Sequence, residues 1–140
     1  MKKRYAEQVQ FIAIYVREAH PTDGWQMTSN DRAGIVFRQP LDRQERVGVA
    51  EKCCQSLVMT IPLLVDDVND RVGHVYSGMP DRLYVIDRAG RVAYKGGRGP
   101  FGFKPGEMEQ SLIMTLLDEG SAKSNESAPG KSDTAPDSRK

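Results

Sequence analysis

Between Val16 and Trp25 the chain reads VREAHPTDGW, directly after the apolar run FIAIYV at Phe11–Val16. Glu18, His20, Asp23 and the sole tryptophan, Trp25, thus crowd the end of a predicted strand. An imidazole titrates near neutral pH, so His20 can hand a proton to a carbanion-like ring carbon or bind a phenol, with Glu18 as its acidic neighbour. Trp25 can wall a pocket for an aromatic ring. The same residues have a plainer reading, in which polar side chains close a turn around Pro21 and Gly24 and the indole fills core.

Other reactive types are sparse. Cys53 and Cys54 are adjacent, so they build no disulfide framework, and a bond between them is strained. They fall within a predicted helix and read as packing and surface residues rather than redox groups. His74 sits on a short predicted helix and reads as a surface residue. Two histidines and two cysteines at these positions lack metal-ligand spacing, so no metal is expected. GGRGP at 96–100 fits neither the P-loop nor the dinucleotide pattern. It reads as a tight connection that lets Arg98 face an anionic end of a substrate.

These groups need elements to hold them. Tyr5 and Val9, four apart among charges, read as the last turns of a helix. Phe11–Val16 and IPLLVDD at 61–67 read as strands covered on both faces, the habit of parallel or mixed sheets. Residues 27–40 form an irregular connection. Asp42 and Glu45 make a capping box for a helix carrying Val47, Ala50, Cys54 and Leu57 on its apolar spacing. A short helix follows, with Val68, Val72 and Val75 inward and Gly78 at its end. RLYVIDRAGRVAYKGG is a β-hairpin turning at Asp87–Gly90. Pro105 opens a last helix with Met108, Leu112, Ile113 and Leu116 on one face. The order (α)-β-α-β-α-β-β-α predicts an α/β fold with a mixed sheet. An X-Pro before the hairpin and a closing helix after it are how the second half of a thioredoxin-like domain reads.

The chain has 140 residues, 20 basic and 19 acidic, for a formal charge of +1. That balance gives no electrostatic case for nucleic acid or an anionic membrane surface. No apolar run approaches the roughly 18–20 residues of a membrane span. MKKRYAEQVQ has no apolar signal core behind its basic start, so a cytoplasmic protein is expected. From Glu119 on there is no aromatic and no aliphatic side chain larger than alanine, which predicts one domain over 1–118 and a disordered tail over 119–140.

EAHPTDGW (Glu18–Trp25), DRQERVGVAEKC, and MPDRLYVIDRAGRVAYKGGRGPFGFKP together resemble the iodothyronine deiodinase family and its bacterial relatives, over about residues 4 to 117. The resemblance implies a thioredoxin-like oxidoreductase that removes iodide from an aromatic ring. Its nucleophile is a selenocysteine, or a cysteine in some relatives, regenerated by a thiol reductant as co-substrate, with no other cofactor. It assigns Glu18 and His20 to acid–base and substrate handling, Trp25 and Arg98 to the substrate, and makes Pro80 the cis-proline candidate beside the redox centre. Family members carry a second histidine before the next helix, where this chain has Gln39 and Pro40.

In such a fold the nucleophile follows a central strand and opens the first helix, upstream of the residues read here as helix end. The expectation is therefore a domain truncated at its N-terminus, with two half-sheets whose inner edges lack a partner, and inactive as it stands. A selenocysteine codon reads as a stop, which would restart the frame at a downstream methionine such as Met1. The expected partners are a small aromatic or halogenated substrate and the thiol reductant, with a homodimer compatible and no nucleic acid or membrane. Two other readings stay open: a non-catalytic binding module completed by a partner chain, and a thiol-dependent peroxidase or reductase.

Overall fold

The computed structural model describes residues 1–32, 34 and 36–126. Its elements are β1 (Ala13–Tyr15), α1 (Thr28–Arg32), α2 (Arg43–Ser56), β2 (Leu63–Val65), α3 (Arg71–Val75), β3 (Tyr84–Ile86), β4 (Val92–Lys95) and α4 (Pro105–Glu126). From β1 on, the expected order holds, with the short α1 added inside the 27–40 connection. The N-terminal residues make separate turns, closed by bonds such as Val9 N–H to Tyr5 O at 2.9 Å, rather than a continuous helix.

The fold is mixed α/β, but its strands form two separate two-stranded sheets among the described residues rather than one mixed sheet. β1 and β2 pair in parallel, Ala13 opposite Leu63 and Tyr15 opposite Val65, while β3 and β4 form the antiparallel hairpin. Ala13 N–H donates to Pro62 O and Asp66 N–H to Tyr15 O, so Ala13 and Tyr15 face β2. By the alternation of strand backbones, the peptide groups of Ile14 point to the other edge, where no described strand pairs. Side-chain exposure also corrects the expectation of strands covered on both faces. Ile12 and Ile14 are 49 % and 45 % exposed, and Leu64 is exposed as well, because no described element packs over that side.

The hairpin and α4 carry the core. Tyr5, Val85 and Leu112 are buried together, with Val9, Phe11, Tyr94, Met108 and Leu116 packed around them. Tyr5 Oη donates to Glu109 Oε1 at 2.9 Å, tying the N-terminal turn to α4. Ile113, expected on the same face, is exposed at the edge of that contact. α4 continues past Asp118, where the tail was expected to begin. Arg88 N–H and Nε both bond Glu119, at 2.9 and 2.8 Å, and Ser121 Oγ bonds back to Leu117 O, so local bonds carry the helix to Glu126. The rest of the expected tail, 127–140, lies outside the described residues.

α2 starts where the capping box placed it. Asp42 accepts from Glu45 N–H at 2.9 Å, and the Glu45 carboxylate reaches back one residue further than expected, to Leu41 N–H at 2.9 Å. Its most buried side chains are Arg46 and Ala50, whereas Leu57 is exposed. Val75 at the end of α3 and Val68 just before it are exposed, so the inward stripe expected there does not form; the buried residues are the N-cap Asp70 and Gly73.

Candidate active site

Strand β1 ends at Tyr15, and the next residues carry the polar cluster away from the sheet. Parallel strands leave their carboxyl ends in a common crevice, the usual ligand position in α/β sheets. Here Glu18 follows β1, and Asp66 and Asp67 follow β2.

Tyr15 Oη hydrogen-bonds Glu18 Oε1. Burial pushes the half-buried Glu18 carboxyl above the ordinary carboxylate range, while the charges of Arg46 and His20 oppose the shift. His20 lies edge-on to Trp25, ring centroids 4.6 Å apart and planes at 66°. The His20 Nδ1 atom is buried and takes no hydrogen bond among the described residues. Trp25 itself is 72 % exposed, so it walls no closed pocket; one edge covers His20 and the rest of the ring faces outward. Glu18, His20 and Trp25 are thus brought together. A donor-acceptor imidazole beside a partly desolvated carboxyl and an open aromatic surface can hold a planar ring and exchange a proton with it.

Pro80 and Arg98 form a second group. The Met79–Pro80 peptide is cis, and so is Gly99–Pro100. Gly99 N–H donates to Asp81 O at 3.2 Å, which fastens the Arg98 loop to the segment behind Pro80. Within that loop Gly97 and Gly102 are in backbone contact: a Cβ on Gly102 would sit 2.3 Å from Gly97 C. The segment leading to Pro80 lies against the end of β1, since a Cβ on Gly78 would be 3.7 Å from Val16 Cγ1. Arg98 is exposed on its loop. Among the described residues no hydrogen bond joins that loop to the Glu18–His20 turn.

Beneath the turn is a charge cluster that residue types alone did not point to. Arg46 is 1 % exposed, with Nη1 bonded to Asp67 O and 3.8 Å from Asp70 Oδ1. Arg17 Nε and His74 Nδ1 each lie 3.8 Å from Asp70 Oδ2. Asp70 takes a left-handed backbone, φ 55°, a conformation that Asp tolerates better than most residues. Its carboxylate passes so close to Gly73 that a Cβ there would meet Oδ1 at 2.6 Å. Asp66 Oδ2 accepts Gly73 N–H at 2.9 Å.

Both cysteines are free and lie on α2. Burial pushes the Cys53 thiol up, and the nearby charges of Glu18 and Cys54 push it the same way, so it carries little thiolate at neutral pH. Among the described residues no group of three or more His, Cys, Asp or Glu could hold a metal ion, and no helix is long and apolar enough to cross a membrane. An open groove of about 370 Å³ lies between residues 36–40 and the Glu45–Lys52 stretch of α2, but none of Glu18, His20, Trp25, Pro80 or Arg98 lines it.

The iodothyronine deiodinase family profile matches residues 1–115. The chain belongs to the iodothyronine deiodinase family. It is similar to thyroxine 5-deiodinase of Rattus norvegicus, 34 % identical over 109 residues, which are 78 % of this chain and 34 % of that protein. The Homo sapiens thyroxine 5-deiodinase is 33 % identical over the same shares. The type II iodothyronine deiodinase of Fundulus heteroclitus is 28 % identical over 113 residues, 79 % of this chain and 42 % of its own length. The chain therefore spans between about a third and two fifths of these relatives. The deiodinase family is thioredoxin-like, and its match covers β1 through the first half of α4, both two-stranded sheets included.

Proposed function

We propose that this deiodinase-family domain supplies the substrate-side half of a thiol-dependent reductive dehalogenase acting on an iodinated aromatic ring of the thyroxine class. The observation that carries the reading is the Glu18–His20–Trp25 arrangement at the carboxyl end of β1, with an imidazole held edge-on to an open indole. In the net reaction a ring C–I bond is exchanged for C–H. The iodine leaves as iodide, and two electrons come from thiols that end as a disulfide. His20 delivers the ring proton, Glu18 sets its electrostatic surroundings, Trp25 stacks on the ring and Arg98 meets an anionic end. Pro80 borders the redox centre.

On this reading the nucleophile comes from outside these 140 residues. The only thiols are Cys53 and Cys54, both on α2, and Cys53 is held in its neutral form by burial. The reading therefore makes the chain inactive by itself, acting in the cytoplasm with a thiol reductant and a nucleophile-bearing strand. A second reading has its own support in the edge of β1 that no described strand pairs: a non-catalytic module whose sheet is completed by a partner chain.

The deciding experiment measures iodide release from thyroxine with excess dithiol. It compares the 140-residue chain with the polypeptide translated from the genomic frame that runs upstream through Met1. The proposal predicts release by the longer form only, lowered at least about 100-fold by His20→Ala. Peroxide consumption without iodide release selects a thiol peroxidase instead, and no turnover by either form favours the binding module.

A further inference from the structure

The Gln39 side chain reaches the backbone of the Glu18–His20 turn directly. Glu18 N–H donates to Gln39 Oε1 at 3.0 Å, and Gln39 Nε2 donates back to Glu18 O at 3.2 Å. Two further bonds zip the same segments together: Gln39 N–H to Asp23 Oδ1 at 2.9 Å, and Thr22 N–H to Phe37 O at 2.8 Å. At its other end, the Gln39 segment is anchored to α2. Arg38 pairs with Glu45 at 3.2 Å, and Leu41 N–H donates to the same carboxylate.

A primary amide offers one acceptor and two donors in a fixed plane, so it can satisfy the N–H and C=O of one residue as a paired strand would. Glutamate supplies the acceptor only, and leucine supplies neither. Glu18 is where β1 has left its pairing with β2, and its peptide groups need partners in a half-buried position. Gln39 provides them, and so fixes the direction in which the chain leaves β1 towards His20 and Trp25.

We propose that Gln39 is a positioning residue for the Glu18–His20 pair, coupling the start of α2 to the substrate-side turn. The proposal rests on the functional reading above for its purpose, but its test uses no substrate and stands or falls separately. The full chain, uniformly labelled with ¹⁵N, is compared with Gln39→Leu and Gln39→Glu. Amide hydrogen exchange is read at Glu18 and, as a reference for the fold, at Ala50 in α2. The quenching of Trp25 by the edge-on His20 ring is read by fluorescence, which a single tryptophan makes unambiguous.

Gln39→Leu is expected to speed exchange at Glu18 about tenfold, the scale of losing a hydrogen-bond pair, with Ala50 unchanged and the His20-linked quenching reduced. Gln39→Glu, which keeps the acceptor, is expected to fall between. If Gln39→Leu loosens Ala50 as well, Gln39→Glu decides by the same readouts. Unchanged exchange at Glu18 with unchanged quenching overturns the proposal. So does an equal rise at Glu18 and Ala50 in both variants, which would mark Gln39 as a general support of the fold.

Discussion

Arg46 Nη1 lies 3.8 Å from Asp70 Oδ1 in the interior between α2 and α3, each residue almost wholly shielded from water. The almost fully buried guanidinium is held by the Asp67 carbonyl and the Asp70 carboxylate together. Removing one member of such a pair strands the other charge. Arg46→Met is expected to cost about 3 kcal/mol in urea unfolding, and Asp70→Asn a similar amount. The double variant should cost clearly less than the sum, because the charge left behind in each single variant is then gone. Additive losses would mean the two residues act apart.

Glu18 predicts a pH dependence of stability. Its carboxyl is pushed up by burial, so the folded state holds the proton more tightly than the unfolded chain does. Its contribution is then favourable at and below the ordinary carboxylate range, near pH 4.5, and is lost as pH rises through the higher folded value. Glu18→Gln keeps an acceptor for Tyr15 Oη and removes the titration. The variant is expected to gain stability relative to the parent between pH 4 and pH 8, read from urea midpoints. A difference independent of pH contradicts the account.

The core prediction concerns α4. Leu112 is buried against Tyr5 and Val85, and Leu112→Ala is expected to cost about 2–5 kcal/mol by removing apolar contact and leaving a cavity. Leu117→Ala, exposed on the same helix, should change stability by no more than about 0.5 kcal/mol. Comparable losses in the two melts would place the core elsewhere.

Two glycines near the Arg98 loop should respond in opposite directions. Gly102→Ala drives a methyl into the Gly97 backbone, which cannot swing aside as a side chain would, so the loop must rearrange and stability must fall. An ideal Cβ at Gly106, in the first turn of α4, meets nothing within 4 Å. Gly106→Ala is expected to raise stability by about 0.5–1 kcal/mol through helix propensity. Thermal unfolding of both variants checks the pair.

Local signals in the sequence carried far. The Asp42 cap, the Asp87–Gly90 turn and Pro105 at the head of α4 all sit where residue chemistry placed them, because caps and turns are decided by a few adjacent residues. The unusual EAHPTDGW block likewise pointed to the family, together with the DRQERVGVAEKC and MPDRLYVIDRAGRVAYKGGRGPFGFKP stretches. Burial was harder to read. FIAIYV looks like a strand covered twice, yet Ile12 and Ile14 are exposed, since cover depends on elements distant in sequence. Arg46 is missed for the opposite reason: arginine is an outside residue by default, and only its place one turn before Ala50 on the buried face of α2 hints otherwise. Gln39 carries no local signal at all, because its partner lies 21 residues away.

The substrate-side claim is tested most directly by titrating the full 140-residue chain with thyroxine while following Trp25 fluorescence. The account predicts saturable quenching, with affinity weakened about tenfold in His20→Ala and again in Arg98→Ala. Quenching that never saturates, or equal affinity in the parent and both variants, would contradict it.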